Sequence, residues 1–371
     1  MSELILHIGT TKTGTSSLQR FLFDNRERLA EEGVAYPVFS RQPGPARNRN
    51  GIFLDRYCGA LARSKDPGYF VNDSEENLEL LAESLSGSER VLLTDENFSY
   101  TPGQLVRGDG RAPKRYWQAL ADTVRDAGAA TVTVVVYLRR QDDWIASRWR
   151  QNIRSGTTRA TVGDYCKGAA TRYCTDYSGL LAEVAGAFGE AARIVVRRYD
   201  RASFEGGDIY HDFCAAIDLP WDDGYPLPER EVNQSLAFDV AEALRPLAKA
   251  APFRTTLRTD VLMPLAQKLS RQNPDPPGMT PFDEDETRSL MEPYLPGNER
   301  VSDRYLGGEP LFSDEYGGRP VWVPDGERIA EYRTAFERAI REHPAEGEPG
   351  DRAGFARRLA RRLRARFARG R

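Results

Sequence analysis

Residues that build disulfides or metal centres are scarce in this sequence. Four cysteines and three histidines stand among 371 residues. The cysteines form no C-x-x-C pair and have no histidine cluster beside them. They are Cys58, Cys166, Cys174 and Cys214. This spacing argues against a disulfide framework and against a zinc site, so we expect no bound metal.

Long apolar runs are also lacking. No uncharged segment approaches the roughly 18 residues that a membrane-spanning helix needs. The N-terminal residues lack the charged start, apolar stretch and small-residue cleavage site of a secretory signal. The composition is otherwise that of a globular protein, with 40% apolar and 29% charged residues. We therefore expect a reduced protein of the cytoplasm.

Charge is unevenly distributed along the chain. Residues 351–371 contain nine arginines and one aspartate, a net charge of +8, so the rest carries about −11 by subtraction from the total of −3. Apolar residues recur there at every fourth position: Phe355, Leu359, Leu363 and Phe367. The pattern predicts a basic amphipathic tail over residues 346–371 that contacts the inner membrane surface or a polyanion. A solvated terminal helix is the alternative, and the acidic remainder argues against nucleic acid.

Strand-like and helix-like segments alternate through the first two hundred residues. Apolar runs predict strands at residues 4–8, 90–94, 131–138 and 193–198. Helical spacing predicts helices at residues 15–32, 74–86, 114–127 and 141–154. The run TVTVVVYL is the most β-branched and indicates a central strand. We predict a three-layer α/β fold around a central parallel sheet.

Two further segments have a different character. Residues 39–69 are rich in Arg, Asn, Gly and Pro and predict an irregular excursion over the mouth of the first strand–helix turn. The chain beyond about residue 221 is mainly helical in pattern. We favour a single domain over residues 1–345 with this part as a helical extension, and a separate domain is the alternative.

The stretch GTTKTGTSS opens the first predicted helix and has the spacing of a phosphate-binding loop. Gly9 and Gly14 match the G-x-x-x-x-G of a nucleoside-triphosphate loop, but Thr15 stands where its lysine belongs and the lysine is Lys12. A strand-to-helix turn of this kind presents backbone N–H groups and the helix dipole to an anion. Hydroxyl donors in the stretch are Thr13, Thr15, Ser16 and Ser17. We predict a P-loop-like anion site, with a purely structural turn as the alternative.

In this context the sequence resembles the sulfotransferases that use 3′-phosphoadenosine 5′-phosphosulfate. Their first signature is a strand, a lysine, a small hydroxyl residue, a glycine and further hydroxyl residues opening a helix, which residues 12–17 (KTGTSS) match. HIGTTKTGTSSLQRFL is similar to the bacterial branch associated with cell-surface polysaccharides, and so is the late segment 293–312. The resemblance implies that the loop binds the 5′-phosphosulfate, with Lys12 at the oxygen that bridges phosphate and sulfate.

The second family signature is an arginine after a central strand and a serine eight residues later, both of which bind the 3′-phosphate. In YLRRQDDWIASRW, Arg139 and Ser147 have this spacing and Asp143 occupies the intervening acidic position. Arg140 is a rival, and a solvated ion-pair cluster is the alternative. Tyr199 follows the fourth strand where the family has a tyrosine near the adenine; a tyrosine packed at the sheet edge is its alternative.

Two family features are missing from the chain. No R-K-G-x-x-G segment stands near its C-terminal end, and no tryptophan follows the hydroxyl cluster to stack on adenine. Both departures concern the nucleotide contacts outside the loop.

Sulfuryl transfer needs alignment, stabilisation of the departing phosphate and a base for the acceptor hydroxyl. Lys12 and the loop amides supply the second requirement, and a metal is not needed for it. Glu96, just after the second strand, is our first choice of base and Asp95 the next; a helix cap is the alternative for either. His7, inside the first strand, is predicted to be a buried structural histidine. His211 and His343 receive no role.

The expected activity is transfer of a sulfuryl group to a hydroxyl of a carbohydrate or of another cell-surface or small-molecule acceptor. Two alternatives stay open at this point. One is an atypical P-loop kinase, which the displaced lysine disfavours. The other is a catalytically inert module of the same fold that binds a nucleotide or a glycan.

Overall fold

The chain folds into two compact units. The computed structural model describes residues 2–39, 48–63, 74–106, 111–228, 235–248 and 257–342. The first unit comprises Met1–Gln141, Gly168–Glu231 and Met291–Asp314, and the second Asp142–Lys167, Val232–Leu290 and Glu315–Arg371. The predicted tail at residues 346–371 lies outside the described residues, and the single domain over residues 1–345 stays a prediction.

The first unit contains a five-stranded sheet in which every pairing is parallel. Its strands are β1 Glu3–His7, β2 Val34–Ala35, β3 Arg90–Thr94, β4 Thr131–Leu138 and β5 Ala192–Arg198, in the order β2-β3-β1-β4-β5. The four predicted strands and the α/β class are confirmed. The central position of β4 is also confirmed, since it pairs with β1 and β5. The two-residue strand β2 was not predicted.

Helices connect the strands and build most of the second unit. In chain order they are α1 Thr15–Asp24, α2 Arg26–Glu31, α3 Ile52–Ala62, α4 Ser74–Gly87, α5 Asn97–Leu105, α6 Ala112–Asp126, α7 Gln141–Arg154, α8 Val162–Cys166, α9 Ala169–Thr175, α10 Tyr177–Phe188, α11 Ile209–Ala216, α12 Phe238–Leu244, α13 Met263–Gln272, α14 Glu284–Met291, α15 Leu295–Tyr305 and α16 Gly326–Glu342. Short 3-10 turns lie at Gly189–Ala191, Arg201–Ser203, Glu205–Gly207, Arg245–Leu247 and Glu292–Tyr294, and a π-helical turn, Arg258–Leu262, precedes α13. Within the described residues, none of these helices has the length and apolar character needed to cross a bilayer.

Apolar side chains on both faces of the sheet explain why it lies in the interior of the first unit. Successive residues of a strand point to opposite faces. Leu4 and Leu6 therefore join one hydrophobic core, to which α3, α5, α6 and α10 contribute, whereas Ile5 joins a second core with α1, α2 and α11. Seven of the eight residues of β4 are buried, as expected for an interior parallel strand. Helices thus cover both faces of the sheet.

Two local predictions need correction. The helix predicted over residues 15–32 is interrupted at Asn25, which leaves helical geometry (φ −98°, ψ 9°) and donates its side-chain amide to the carbonyl oxygens of Phe21 (2.9 Å) and Pro226 (3.0 Å). The irregular excursion predicted over residues 39–69 is wrong for residues 52–62, which form α3. Its apolar side chains are buried against α5 and α6, although the residues around it have a loop-like composition. Residues 40–47 and 64–73 lie outside the described residues.

The second unit has its own helical core. Apolar side chains of α7, α12, α13 and α16 pack together, and the largest of them are Trp149, Phe238, Tyr332 and Phe336. The helical character predicted beyond residue 221 is confirmed by α12 to α16. Of these helices, α15 belongs to the first unit.

Candidate functional site

The loop between β1 and α1 has an unusual backbone. Gly9 (φ 49°), Lys12 (φ 74°) and Gly14 (φ 71°) all adopt positive φ angles. For lysine this conformation costs about 1–2 kcal/mol relative to an ordinary backbone. A side chain at position 14 would approach Tyr199 Cε2 to 3.2 Å and Ile209 Cδ1 to 3.0 Å. The second glycine of the loop is therefore required both for its backbone angle and for the close approach of its neighbours.

Two buried threonines hold the loop in this shape. The hydroxyl of Thr10 donates to the carbonyl oxygen of Tyr137 (2.8 Å), and the hydroxyl of Thr13 donates to the carbonyl oxygen of Thr10 (2.5 Å). The Thr13 hydroxyl is thus a structural donor within the loop. Ser16 and Ser17 are exposed at the start of α1, whereas Thr15 is buried.

The first turn of α1 has no side-chain cap among the residues that the structure describes. The amides of Ser17 and Leu18 bond to the carbonyl oxygen of Gly14 (3.1 Å each), which begins the helical pattern. The first-turn N–H groups and the positive end of the helix dipole are the features that bind phosphate at such turns.

The strand order brings residues after β4 and β5 to one side of the loop. Nη1 of Arg139 donates to the carbonyl oxygen of Lys12 (3.1 Å), and the hydroxyl of Tyr177 donates to the carbonyl oxygen of Arg139 (2.5 Å). The guanidinium carbon of Arg139 lies 5.8 Å from the ring centroid of Tyr199. The loop, Arg139 and Tyr199 therefore share one end of the sheet.

Glu96, which follows β3, lies on the other side of the loop. A side chain at Gly9 would come within 3.3 Å of Glu96 Cβ. Nε2 of Gln19 donates to Glu96 Oε2 (2.9 Å), and Nε of Arg49 lies 3.5 Å from the same oxygen. The Glu96 side chain keeps 18% of its surface exposed. It is thus an oriented carboxylate beside the loop with access to solvent.

Asp95 has a different environment from its neighbour. Its side chain is fully buried, and Oδ1 accepts from Arg49 Nη2 (2.6 Å) and from the backbone amide of Asn97 (2.8 Å). Among the described residues, Oδ2 has no hydrogen-bond partner. Burial and the nearby charge of Glu96 raise the pKa of Asp95 to about 8, against the opposing effect of Arg49. Asp95 is thus a buried carboxyl group that accepts from the amide of Asn97, the first residue of α5, while Glu96 occupies the N-cap position.

His7 and His211 have separate environments. His7 is buried, and its Nδ1 lies 2.8 Å from the hydroxyl oxygen of Thr94. Burial lowers the pKa of His7 to about 3, so the ring is neutral. The predicted buried, hydrogen-bonded histidine is confirmed. His211 stacks on Trp221 at 4.8 Å, and His343 lies outside the described residues.

The two residues predicted to bind the 3′-phosphate belong to different units. Arg139 belongs to the first unit, and Ser147, buried on α7, belongs to the second. Within the second unit, Asp142 (2.8 Å) and Asp143 (2.5 Å) both pair with Arg319. The joint binding of one phosphate by Arg139 and Ser147 stays a prediction.

Two contacts of Glu96 were missed by the sequence analysis. Gln19 lies one turn after Thr15 on α1, so its helical spacing was a usable signal. Arg49 gave no such signal in the sequence, because it stands in a stretch whose composition indicated irregular structure. In the described part of the chain, no group of three or more His, Cys, Asp or Glu side chains is arranged to hold a metal ion.

Comparison with known proteins adds one distant relative. No family model matches the sequence, and no solved structure matches it. An uncharacterized protein of Archaeoglobus fulgidus is 29% identical over 223 residues, which are 56% of this chain and 55% of that protein. The chain thus spans about half the length of this relative, whose description names no activity.

Proposed function

We propose that this protein transfers the sulfuryl group of 3′-phosphoadenosine 5′-phosphosulfate to a hydroxyl of a carbohydrate or of another cell-surface or small-molecule acceptor. The observation that carries the proposal is the setting of Lys12. It lies in a glycine-bounded turn between β1 and α1, with Arg139 bonded to its carbonyl oxygen and Glu96 packed against the same turn. The KTGTSS segment, which resembles the family signature, forms this turn and the start of α1.

The residues around the turn fit a phosphosulfate group. The helix start has no side-chain cap among the described residues, and two exposed serines follow Gly14. The Thr11 hydroxyl is buried in the turn and is without a hydrogen-bond partner within the described ranges. In the proposal the 5′-phosphosulfate is bound by Lys12, Gly14 and the hydroxyl residues 13 and 15–17. Thr13 contributes its backbone amide, since its hydroxyl already bonds within the loop.

The rest of the donor extends along the same end of the sheet in this proposal. Tyr199 contacts the adenine, and Arg139 binds the 3′-phosphate together with Ser147. An arginine fork matches a phosphate dianion better than a lysine does. We further infer that the three-layer arrangement is a P-loop-like fold whose phosphate turn is specialised for sulfuryl transfer.

The reaction requires one proton acceptor and one cation. Glu96 takes the proton of the acceptor hydroxyl as the acceptor oxygen forms its bond to sulfur. The bond between sulfur and the bridging oxygen breaks, and the electron pair stays on the phosphate. Lys12 stabilises this new negative charge. Gln19 and Arg49 hold the Glu96 carboxylate in one orientation before the acceptor arrives.

Thermal-shift binding tests the proposal first. A ligand that binds only the folded state raises its stability, by about 2.7 kcal/mol at one hundred times the dissociation constant. We expect adenosine 3′,5′-bisphosphate without metal to raise the melting temperature, and a radiolabelled donor to transfer sulfate to a hydroxyl acceptor. A shift with ATP and magnesium alone would support the kinase instead. Bisphosphate binding with no transfer across an acceptor panel would support the inert module.

The cellular setting belongs to the same proposal. We infer a cytoplasmic protein that reaches the inner membrane face or a polyanion through the basic residues 346–371. Removal of residues 354–371 is expected to reduce sedimentation with anionic vesicles. Equal sedimentation of the full and shortened chains would contradict the membrane part of this proposal.

A further inference from the structure

The second unit contains an open cavity that shares no residue with the loop of the proposed transfer site. Its volume is about 310 Å³, within the range of small-molecule sites. The apolar part of its lining includes Trp322, Met279, Val321 and Val323, and Val323 is 78% exposed. The cavity combines an aromatic wall with an apolar rim.

The indole of Trp322 is held rigidly in this wall. Its ring stacks on Phe238 with centroids 5.2 Å apart, and its Nε1 donates to Asp239 Oδ1 (2.8 Å). A parallel bridge joins its chain segment to Thr280, whose carbonyl oxygen accepts from the Trp322 amide (2.8 Å). A fixed aromatic ring that lines a cavity offers a flat apolar surface at low entropic cost.

The charges around the cavity are paired with one another. Asp239 and Asp325 both pair with Arg328, at 3.3 and 3.2 Å. Asp275 pairs with Arg150 at 3.1 Å. The lining itself carries the three carboxylates and the guanidinium of Arg328, so its net charge is negative although each charge is paired. Such a lining disfavours an anionic ligand and, because its charges are already paired, suits a neutral ligand with many hydroxyl groups better than a cation.

An amide and a phenol add neutral polar groups to the lining. Nδ2 of Asn273 donates to the hydroxyl oxygen of Tyr332 (2.9 Å). An asparagine amide has a second N–H and a carbonyl oxygen beyond this bond. Together with the indole, the lining can contact both the C–H face and the hydroxyls of a sugar ring. We propose that this cavity binds a residue of a neutral carbohydrate chain.

Ligand-observed saturation-transfer NMR with the full chain tests the proposal. The probes are neutral tetrasaccharides of glucose, galactose, mannose and N-acetylglucosamine, beside a uronic-acid tetrasaccharide and an apolar peptide. We expect at least one neutral sugar to give the strongest signal. Val323→Arg places a long cation at the exposed rim and should weaken this binding about tenfold or more, which corresponds to about 1.4 kcal/mol.

Val38→Arg is the matched control. Val38 is 41% exposed and belongs to the first unit, so this change should leave sugar binding intact. Trp322→Phe, which keeps a ring but lacks the indole N–H, should also reduce the signal. The proposal is overturned if no neutral sugar binds, if the charged sugar or the peptide binds better, or if Val323→Arg binds like the parent. Because the readout is sugar binding alone, failure here leaves bisphosphate binding and sulfuryl transfer to their own tests.

Discussion

The guanidinium of Arg139 donates a hydrogen bond to the carbonyl oxygen of Lys12, across 3.1 Å and 127 positions of sequence. The bond joins the residue that follows β4 to the turn that follows β1. It ties the cation proposed for the leaving group to the arginine proposed for the 3′-phosphate. A substitution at either position should therefore weaken binding of the donor. At Lys12 it removes the cation, and at Arg139 it removes the guanidinium.

Lys12 substitutions should separate activity from stability. Lys12→Ala is expected to reduce sulfate transfer at least about 100-fold, because it removes the charge that stabilises the departing phosphate. Lys12→Gly should lose transfer equally, yet raise the free energy of unfolding by about 1 kcal/mol, since glycine adopts the φ of 74° without strain. Transfer assays and urea denaturation measure the two effects. Near-full turnover in either variant would remove Lys12 from the mechanism.

Arg139→Lys tests the need for a planar guanidinium. A lysine supplies one point charge in place of a fork, so we expect about tenfold weaker binding of adenosine 3′,5′-bisphosphate. Arg140→Lys is the matched control, because it makes the same exchange at the adjacent position. Titration calorimetry compares the two. A larger loss of bisphosphate affinity for Arg140→Lys would assign the 3′-phosphate contact to Arg140 instead.

Glu96→Gln should lower turnover by about 100-fold or more, with bisphosphate affinity nearly unchanged. The amide retains the shape of the carboxylate and its contact with Gln19, but it cannot accept a proton from the acceptor hydroxyl. Glu31→Gln, an exposed change on α2, serves as control. Single-turnover transfer and nucleotide binding are measured in parallel. If the Glu96 variant turns over normally, another group must be the base.

Asp95→Asn should change how stability depends on pH. The pKa of Asp95 is raised from 3.8 to about 8 in the folded protein. The folded state therefore holds the proton more tightly, and stability falls as pH rises between about 4 and 8, by up to about 1.4 kcal/mol per pH unit. Asparagine does not titrate, so the stability of Asp95→Asn relative to the parent should rise between pH 5 and pH 8. Urea denaturation at pH 5 and pH 8 measures it.

A loss of stability in Asp95→Asn would have a different cause. If Asp95 is ionised throughout as the partner of Arg49, its replacement leaves a buried arginine without its countercharge. The variant would then be less stable than the parent at both pH values.

Gly14→Ala should destabilise the protein by about 1–2 kcal/mol, because alanine is strained at a φ of 71° and its methyl group contacts Tyr199 and Ile209. Bisphosphate binding should weaken with it. Gly186→Ala, on α10, is the control: a Cβ there meets nothing within 4 Å, so alanine should stabilise by about 0.5–1 kcal/mol. Melting temperatures of the two variants should thus shift in opposite directions.

Local pattern predicted four of the five strands of the sheet. These four strands have five or more residues, and each contains an apolar run of at least three, which local pattern detects. Strand β2 has two residues and is defined only by its pairing with β3. The break at Asn25 depends partly on a bond to Pro226, 201 positions away, which no local window contains. Helix α3 was hidden because the composition of its flanks outweighed its own apolar residues.

The candidate site could be predicted from the sequence where its residues follow the ends of strands. Lys12, Glu96, Arg139 and Tyr199 each stand just beyond a strand, and parallel strands end at one edge of the sheet. That β3 and β4 both flank β1 could not be read from the sequence, although it decides which side chains meet the loop. Arg49 reaches Glu96 from a segment without strand or helix pattern, so only the tertiary structure reveals it.

The middle position of β1 also anchors the start of the loop to both neighbouring strands. The amide of Ile8 donates to Val135 on β4 (3.0 Å), and the carbonyl oxygen of His7 accepts from the amide of Asp95 beyond β3 (3.2 Å). Opening either bond means separating neighbouring strands. The Ile8 amide should therefore exchange its hydrogen with solvent only when the whole first unit unfolds. The start of the proposed anion loop is consequently held as firmly as the sheet interior, and exchange at Ile8 reports how long the first unit stays folded.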